Sequence, residues 1–346
     1  MPTIRTSSGC IFLFFGLLSV QSASAGRILE VGQDKPYKLP SEALRAALEG
    51  DDIRLDAGEY FDCAIVKTNN LIIEGADGGA SVITDKACGG KGLLVVTVEN
   101  TIVRNLTLTR SRVPDGNGAG IRFEGRDIAI EGVKFVNNQI GLLASDRPEG
   151  TIRIVDCDFL DNGSGDARRP LHAVATGQLA LLHIERSGFK GTRGFSDIKS
   201  DASRTELSQN TVEAASPSTT SYMIEQEGGA LLMEGNRFHA MARAVPLIAP
   251  VLVTSGNSGA RIDLRLTRNT VVNDSGAAMP FLRNWTGDTP SMEGNDLTNI
   301  GEPVSSDGRF RHSVGLVFHS VRDRVVAVKD GLRHVAGLIL RHLTSH

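Results

Sequence analysis

Aromatic side chains are scarce, at 5% of 346 residues, with one tryptophan and three tyrosines. A carbohydrate site built on many exposed aromatic platforms is therefore excluded. Charge of one sign is also missing: the formal net charge is −3 and the pI is near 6.3. That leaves no overall basic footprint for nucleic acid, and with 40% hydrophobic residues it argues against a disordered chain. No apolar run is long enough to span a bilayer; the longest, Ile11–Val20, covers ten residues. Four cysteines, without C-x-x-C or histidine-rich spacing, give no structural zinc motif.

What the chain does have begins at its start. Arg5, the Ile11–Val20 run and Ala23-Ser24-Ala25 before Gly26 form the three regions of a signal peptide over residues 1–25. The expected location is secreted or periplasmic, and Cys63, Cys88 and Cys157 remain after cleavage. Charge is unevenly spread. Residues 309–346 carry seven Lys/Arg against two Asp, so the body from 26 to 308, with 29 basic and 38 acidic residues, is acidic. Any basic substrate site in that body must be local.

Glycine is abundant, at 38 residues, which points to many tight turns. A repeat explains them. Ile128-Ala129-Ile130-Glu131-Gly132-Val133-Lys134-Phe135 recurs as Ile152–Phe159, Leu182–Phe189 and Leu231–Phe238. Its second apolar position falls at Leu55, Ile73, Val103, Ile130, Ile154, Ile184, Leu207, Met233, Leu266 and Met292, with a mean spacing of about 26 residues. The intervals are irregular, which fits stacked β-coils with variable loops better than a helical array. Three residues past the last four of these anchors stand Asn210, Asn236, Asn269 and Asn295. Five residues past successive anchors stand Phe135, Phe159, Phe189, Val212, Phe238 and Val271. Coils stacked at about 4.8 Å would turn these columns into an amide ladder and an apolar stack. The expected fold is all-β, a parallel β-helix of about ten coils over residues 26–304. A basic tail follows over 305–346, with apolar residues from Val314 to Leu343 near helical spacing. Such a C-terminal amphipathic helix would pack on the solenoid or contact a membrane surface or a protein partner.

The ladder, the stack and the coil length resemble the right-handed parallel β-helix of the pectin-lyase-like superfamily over roughly residues 27–300. The start matches too: Ser41–Leu48, then Gly50-Asp51-Asp52-Ile53, then Gly58-Glu59-Tyr60, resembling a short helix that covers the open end before the first coil. Ser41 is the expected N-cap, and Ala43, Leu44, Ala47 and Leu48 the covering residues. In such a fold Cys63 and Cys88 occupy neighbouring early coils, either bridged or as two buried thiols.

The resemblance implies a polysaccharide site on one outer face. Counting back eight residues from the anchors gives Arg122, Asp146, Thr176, Lys199 and Glu225. Counting back twelve gives His172, and Asp197 shares the even offset, hence the same face of a strand. Lys199 or His172 as base, with Arg122 neutralising a uronate, would suit a lyase or C5-epimerase. Asp197 with Glu225 would suit a hydrolase. The alternative is a non-catalytic glycan-binding or cell-envelope protein whose charged row is a solvated salt-bridge ladder. Neither the pectate-lyase Asp/Arg arrangement nor the Asp-rich polygalacturonase signature is present. Of the aromatics, Trp285 is a candidate for substrate binding, while the odd offset of Tyr222 predicts an inward side chain. Loops 110–118 and 161–170 lead into the site strands as groove walls. Asp115, Asn117, Asp161, Asn162 and Asp166 there offer oxygen ligands for Ca2+, without EF-hand order; no other cofactor is expected.

Overall fold

The computed structural model describes residues 26–164, 171–242, 247–256 and 262–306. The expected signal peptide lies outside the described residues, as does all of the expected tail helix beyond Ser306. Within them the chain winds through three sheets of eleven, ten and ten strands, one strand to each sheet per turn, and every strand pair is parallel. The architecture is a parallel β-solenoid of about ten turns.

The repeat anchors form one inward row of the eleven-stranded sheet. From Ile73 to Met292 each pairs with the next, through Val103, Ile130, Ile154, Ile184, Leu207, Met233 and Leu266. The first anchor slips: Ile53, not Leu55, stands opposite Ile73. Ile53 and Leu55 both point inward, so alternation alone does not separate them. The apolar column is as expected. Phe135, Phe159 and Phe189 stack with centroids 4.5 and 4.7 Å apart and nearly parallel planes.

The amide ladder runs Asn210–Asn236–Asn269–Asn295, each Nδ2 donating to the next Oδ1 at 2.9 to 3.0 Å. It continues upstream in smaller groups, with Asn210 Oδ1 accepting from Ser187 N and Ser187 Oγ accepting from Cys157 N. The residue before each ladder position has a left-handed φ, between 47° and 66°, from Asn105 through Gly132, Asp156, Arg186, Gln209, Gly235 and Arg268 to Gly294. That conformation turns the corner and explains the polar or glycine pair in the repeat. A second column joins Asn138 to Asn162, whose Oδ1 accepts from Asn138 N and Nδ2. Asn162 is thereby fully buried and committed to the fold rather than to a loop cation.

At the N-terminal end, helix α1 (Pro40–Ala46) packs against the first strands with Ala43 and Leu44 buried. Ala47 is buried just beyond it, but Leu48 is exposed. Ser41 is not the N-cap. Leu39 holds that position, and Glu42 folds back to accept from Lys38 N at 2.8 Å and Leu39 N at 3.2 Å. Glu42→Ala should therefore lower stability by about 1 kcal/mol in urea denaturation, whereas Ser41→Ala should change little. The following motif is held by Asp51, which is buried, accepts from Arg27 and Leu48, and is pulled down to about 2, chiefly by the Arg27 hydrogen bond. Cys63 and Cys88 are bridged, and Cys157 is a buried free thiol.

Candidate functional site

Three neighbouring strands carry the chemistry: His172–Thr176, Ser196–Ser200 and Tyr222–Glu227. Their register sets His172 beside Ser196 and Ser196 beside Tyr222. Three positions on, Ala175 stands beside Lys199 and Lys199 beside Glu225. The loops entering two of these strands touch closely. Phe195 N donates to Leu171 O at 2.8 Å, and a Cβ on Gly194 would lie 1.9 Å from that same oxygen, so only glycine fits.

His172 is buried, with Nδ1 2.7 Å from Ser196 Oγ, and Ser196 Oγ donates to Glu225 Oε2 at 3.4 Å. Burial first, and the Lys199 cation second, push His172 down to about 3, so the ring is neutral. Burial pushes Glu225 up to about 7. Lys199 opposes that rise, while the Glu227 and Asp201 carboxylates add to it. Lys199 donates to Asp201 at 3.0 Å and to Glu227 at 2.7 Å. Burial works against its charge, yet Asp201, Glu225 and Glu227 together hold it above the ordinary lysine range. Asp201 is itself raised to about 6, again by burial first. The result is a fixed ammonium, a neutral imidazole and a carboxyl group that exchanges its proton near neutral pH.

Lys199 and Glu225 are vertical neighbours, as the sequence predicts, but the lysine is protonated and thus unsuited to act as a base. Asp197 is not on this face. It is fully buried in the row of Ala173 and Met223, both core residues, because two successive residues of the strand, Asp197 and Ile198, turn inward. Arg122 shares the Lys199 row, but Leu143 and Ala175 intervene, so it stands three coils or about 14 Å away. There it donates to Glu124 and Ser145. Asp146 falls off the row and accepts from Gln178 N in a corner. Thr176 likewise pairs with Ser200, one position beyond the row. Longer corners after these strands defeat a fixed offset from the anchors.

Tyr222 faces outward, not inward. With Ala249 and Leu252 it forms a cluster separate from the core, and Phe195 and Trp285 pack on it. Phe195 lies 5.6 Å from Tyr222 and meets His172 edge-on at 6.4 Å. Leu252 pairs with Glu225, so this apolar group abuts the titrating carboxyl. The sequence reading missed Ser196, Asp201 and Glu227. A signal for the acids existed: each stands two residues beyond Lys199 or Glu225, on the same side of its strand. Among the described residues no group of three His, Cys, Asp or Glu is arranged to hold a metal ion.

The three-sheet coil, the amide ladder and the phenylalanine stack make this a parallel β-helix protein, the architecture that the sequence resemblance implied. No protein-family model matches the chain, and no curated protein matches it. Among solved structures it is similar to a pectin methylesterase from Aspergillus niger, at 16% identity and TM-score 0.45 over 85% of this chain and 92% of that one. It is also similar to the A-module of a mannuronan C-5 epimerase from Azotobacter vinelandii, at 17% identity and TM-score 0.39 over 80% and 96%. A third is the pectin methylesterase from Erwinia chrysanthemi, at 12% identity and TM-score 0.38 over 81% of each chain.

Proposed function

We propose that the protein is exported and acts on an acidic polysaccharide at the face of His172, Lys199 and Glu225, as a lyase or C5-epimerase. The Cys63–Cys88 bridge supports an oxidising compartment. One observation carries the catalytic reading: a buried carboxyl group, Glu225, titrates near 7 beside a permanently charged lysine. Both reactions start by removing the proton from the carbon next to a uronate carboxylate, and a base is most useful when its pKa lies near the working pH. Glu225 takes that proton. Lys199 offsets the extra charge that accumulates on the substrate carboxylate. Ser196, held by neutral His172, orients Glu225. In elimination the electron pair then expels the glycosidic oxygen, which receives the proton from Glu225 and leaves a carbon–carbon double bond. In epimerisation water on the opposite side supplies a proton to that carbon, and Glu225 passes the one it took to solvent. Trp285 and Phe195 would border the sugar.

The ion pairs of Lys199 with Asp201 and Glu227 favour a second reading, a face that binds glycan without turnover. Polygalacturonate, polymannuronate and polyguluronate separate the two. Absorbance near 235 nm reports elimination, and deuterium uptake from solvent at C5 reports epimerisation. Either signal should fall at least about 100-fold in Glu225→Gln. Binding by the wild type with neither signal across the panel would instead establish the second reading.

A further inference from the structure

Two arginines in the loops that lead into the sheet of this face form no ion pair among the described residues. Arg112 lies in the 110–118 loop. Arg193 lies two residues before Phe195, its backbone N–H fixed to Asn162 O at 2.7 Å. Their Nη2 atoms converge on one oxygen, Asn137 Oδ1, at 2.6 and 3.2 Å. Their other hydrogen bonds go to the backbone carbonyls of Ser111 and Asp161.

Neither forms an ion pair among the described residues. Asp85, the acid nearest in charge effect to Arg112, is committed to Arg110, which also holds Glu59. Arg193 Nε is shielded from solvent and donates to nothing among the described residues. Enclosure by the loops first, and Arg193 second, lower the affinity of Arg112 for its proton. Like charges drawn together around a neutral amide oxygen, with a buried donor left over, are unfavourable until an anion joins them. The opposite holds at Arg110, where two carboxylates already neutralise the guanidinium.

We propose that Arg112 and Arg193 form a carboxylate subsite that receives a uronate of the bound polysaccharide. It rests on the reading that the substrate is acidic, and it adds where along the groove an acid group is gripped. Asn137, on which the arginines converge, leads into the strand Ile140–Ala144, three coils or about 14 Å before that of Glu225, so the gripped sugar is not the reacting one.

Calorimetric titration with galacturonate and mannuronate hexasaccharides, against a neutral galactose hexasaccharide, tests it. The wild type should bind an acidic hexamer, and Arg112→Gln or Arg193→Gln should each weaken that binding roughly tenfold, the worth of a charge-assisted pair. If a glutamine variant melts early, the wild type alone still decides: its affinity must fall steeply as NaCl rises. The subsite is overturned if both variants keep wild-type affinity, if affinity ignores salt, or if no acidic hexamer binds. Arginine-dependent binding without turnover would leave the subsite standing and remove the catalytic reading. Turnover with arginine-independent binding would remove the subsite alone.

Discussion

Asn236→Ala should destabilise the protein by about 4 kcal/mol, lowering the melting temperature by about 10 °C. The amide is fully enclosed and makes bonds in both directions. Nδ2 donates to Leu207 O at 2.8 Å and to Asn269 Oδ1 at 2.9 Å, while Oδ1 accepts from Asn210 N and Nδ2, each at 3.0 Å. Alanine leaves a carbonyl, a backbone N–H and two neighbouring amides short of partners where water does not enter. Each such orphan costs about 1 to 3 kcal/mol, partly recovered by local shifts. Asn295→Ala is the control. Its Nδ2 also bonds a carbonyl, Leu266 O at 2.7 Å, but the residue is half-buried at the last turn, so water replaces the amide and the loss should be only about 1 kcal/mol. Hydrogen exchange should show the Asn236 lesion decoupling the coils beyond it, since each turn contacts mainly its neighbours. Equal losses for the two variants, or less than 1 kcal/mol at Asn236, would show that the ladder does not bear on stability.

Those columns were legible in the sequence because stacking repeats the same environment once per turn. Identical side chains then recur at one offset, and the offset needs only the short, constant corner between the anchor and the ladder. The corner beyond the site strands is not constant. An offset of eight finds Lys199 and Glu225, whose corners are short, and lands on Asp146 and Thr176, whose corners are longer. Ser196 was lost to the same cause by one residue, and with it the link between His172 and Glu225. Asp197 and Tyr222 were read on the wrong sides because strict alternation breaks where Asp197 and Ile198 both turn inward. The pairing of cysteines depends on loop course, which spacing does not state. Charge states were the least legible, since Lys199 and Glu225 take theirs from Asp201, Glu227 and the depth of the site.

Stability should fall, not rise, as pH climbs from about 4.5 to 7, and Glu225 should be the main reason. Its pKa is 4.5 in an ordinary environment and about 7 in the folded protein. Between those values the native carboxyl keeps a proton that the unfolded one has released. The contribution is therefore full below about 4.5, declines as pH rises, and is gone above about 7. The shift corresponds to about 3 kcal/mol. Asp201, raised from 3.8 to about 6, acts in the same direction over a lower window. Asp51, held down to about 2, opposes them only below about 4, where its stabilising charge is lost. His172, held down to about 3, opposes them between about 3 and 6.5, because the unfolded imidazole takes a proton that the buried one does not; the summed losses at Glu225 and Asp201 are the larger. Urea midpoints from pH 4.5 to 8 should show a decline in the wild type and a much flatter course in Glu225→Gln, the two curves crossing toward neutral pH. A wild-type profile that is flat or rises through this range, parallel to the variant, would mean that Glu225 is ionised as in water and has no proton to trade. The same titration governs the proposed chemistry. A base must be ionised to take a proton, so turnover should reach half its maximum near pH 7, where the fold gives up the last of this stabilisation. Rising activity and falling stability over one pH interval, both removed by one amide substitution, would tie the reaction to Glu225 more firmly than loss of activity alone.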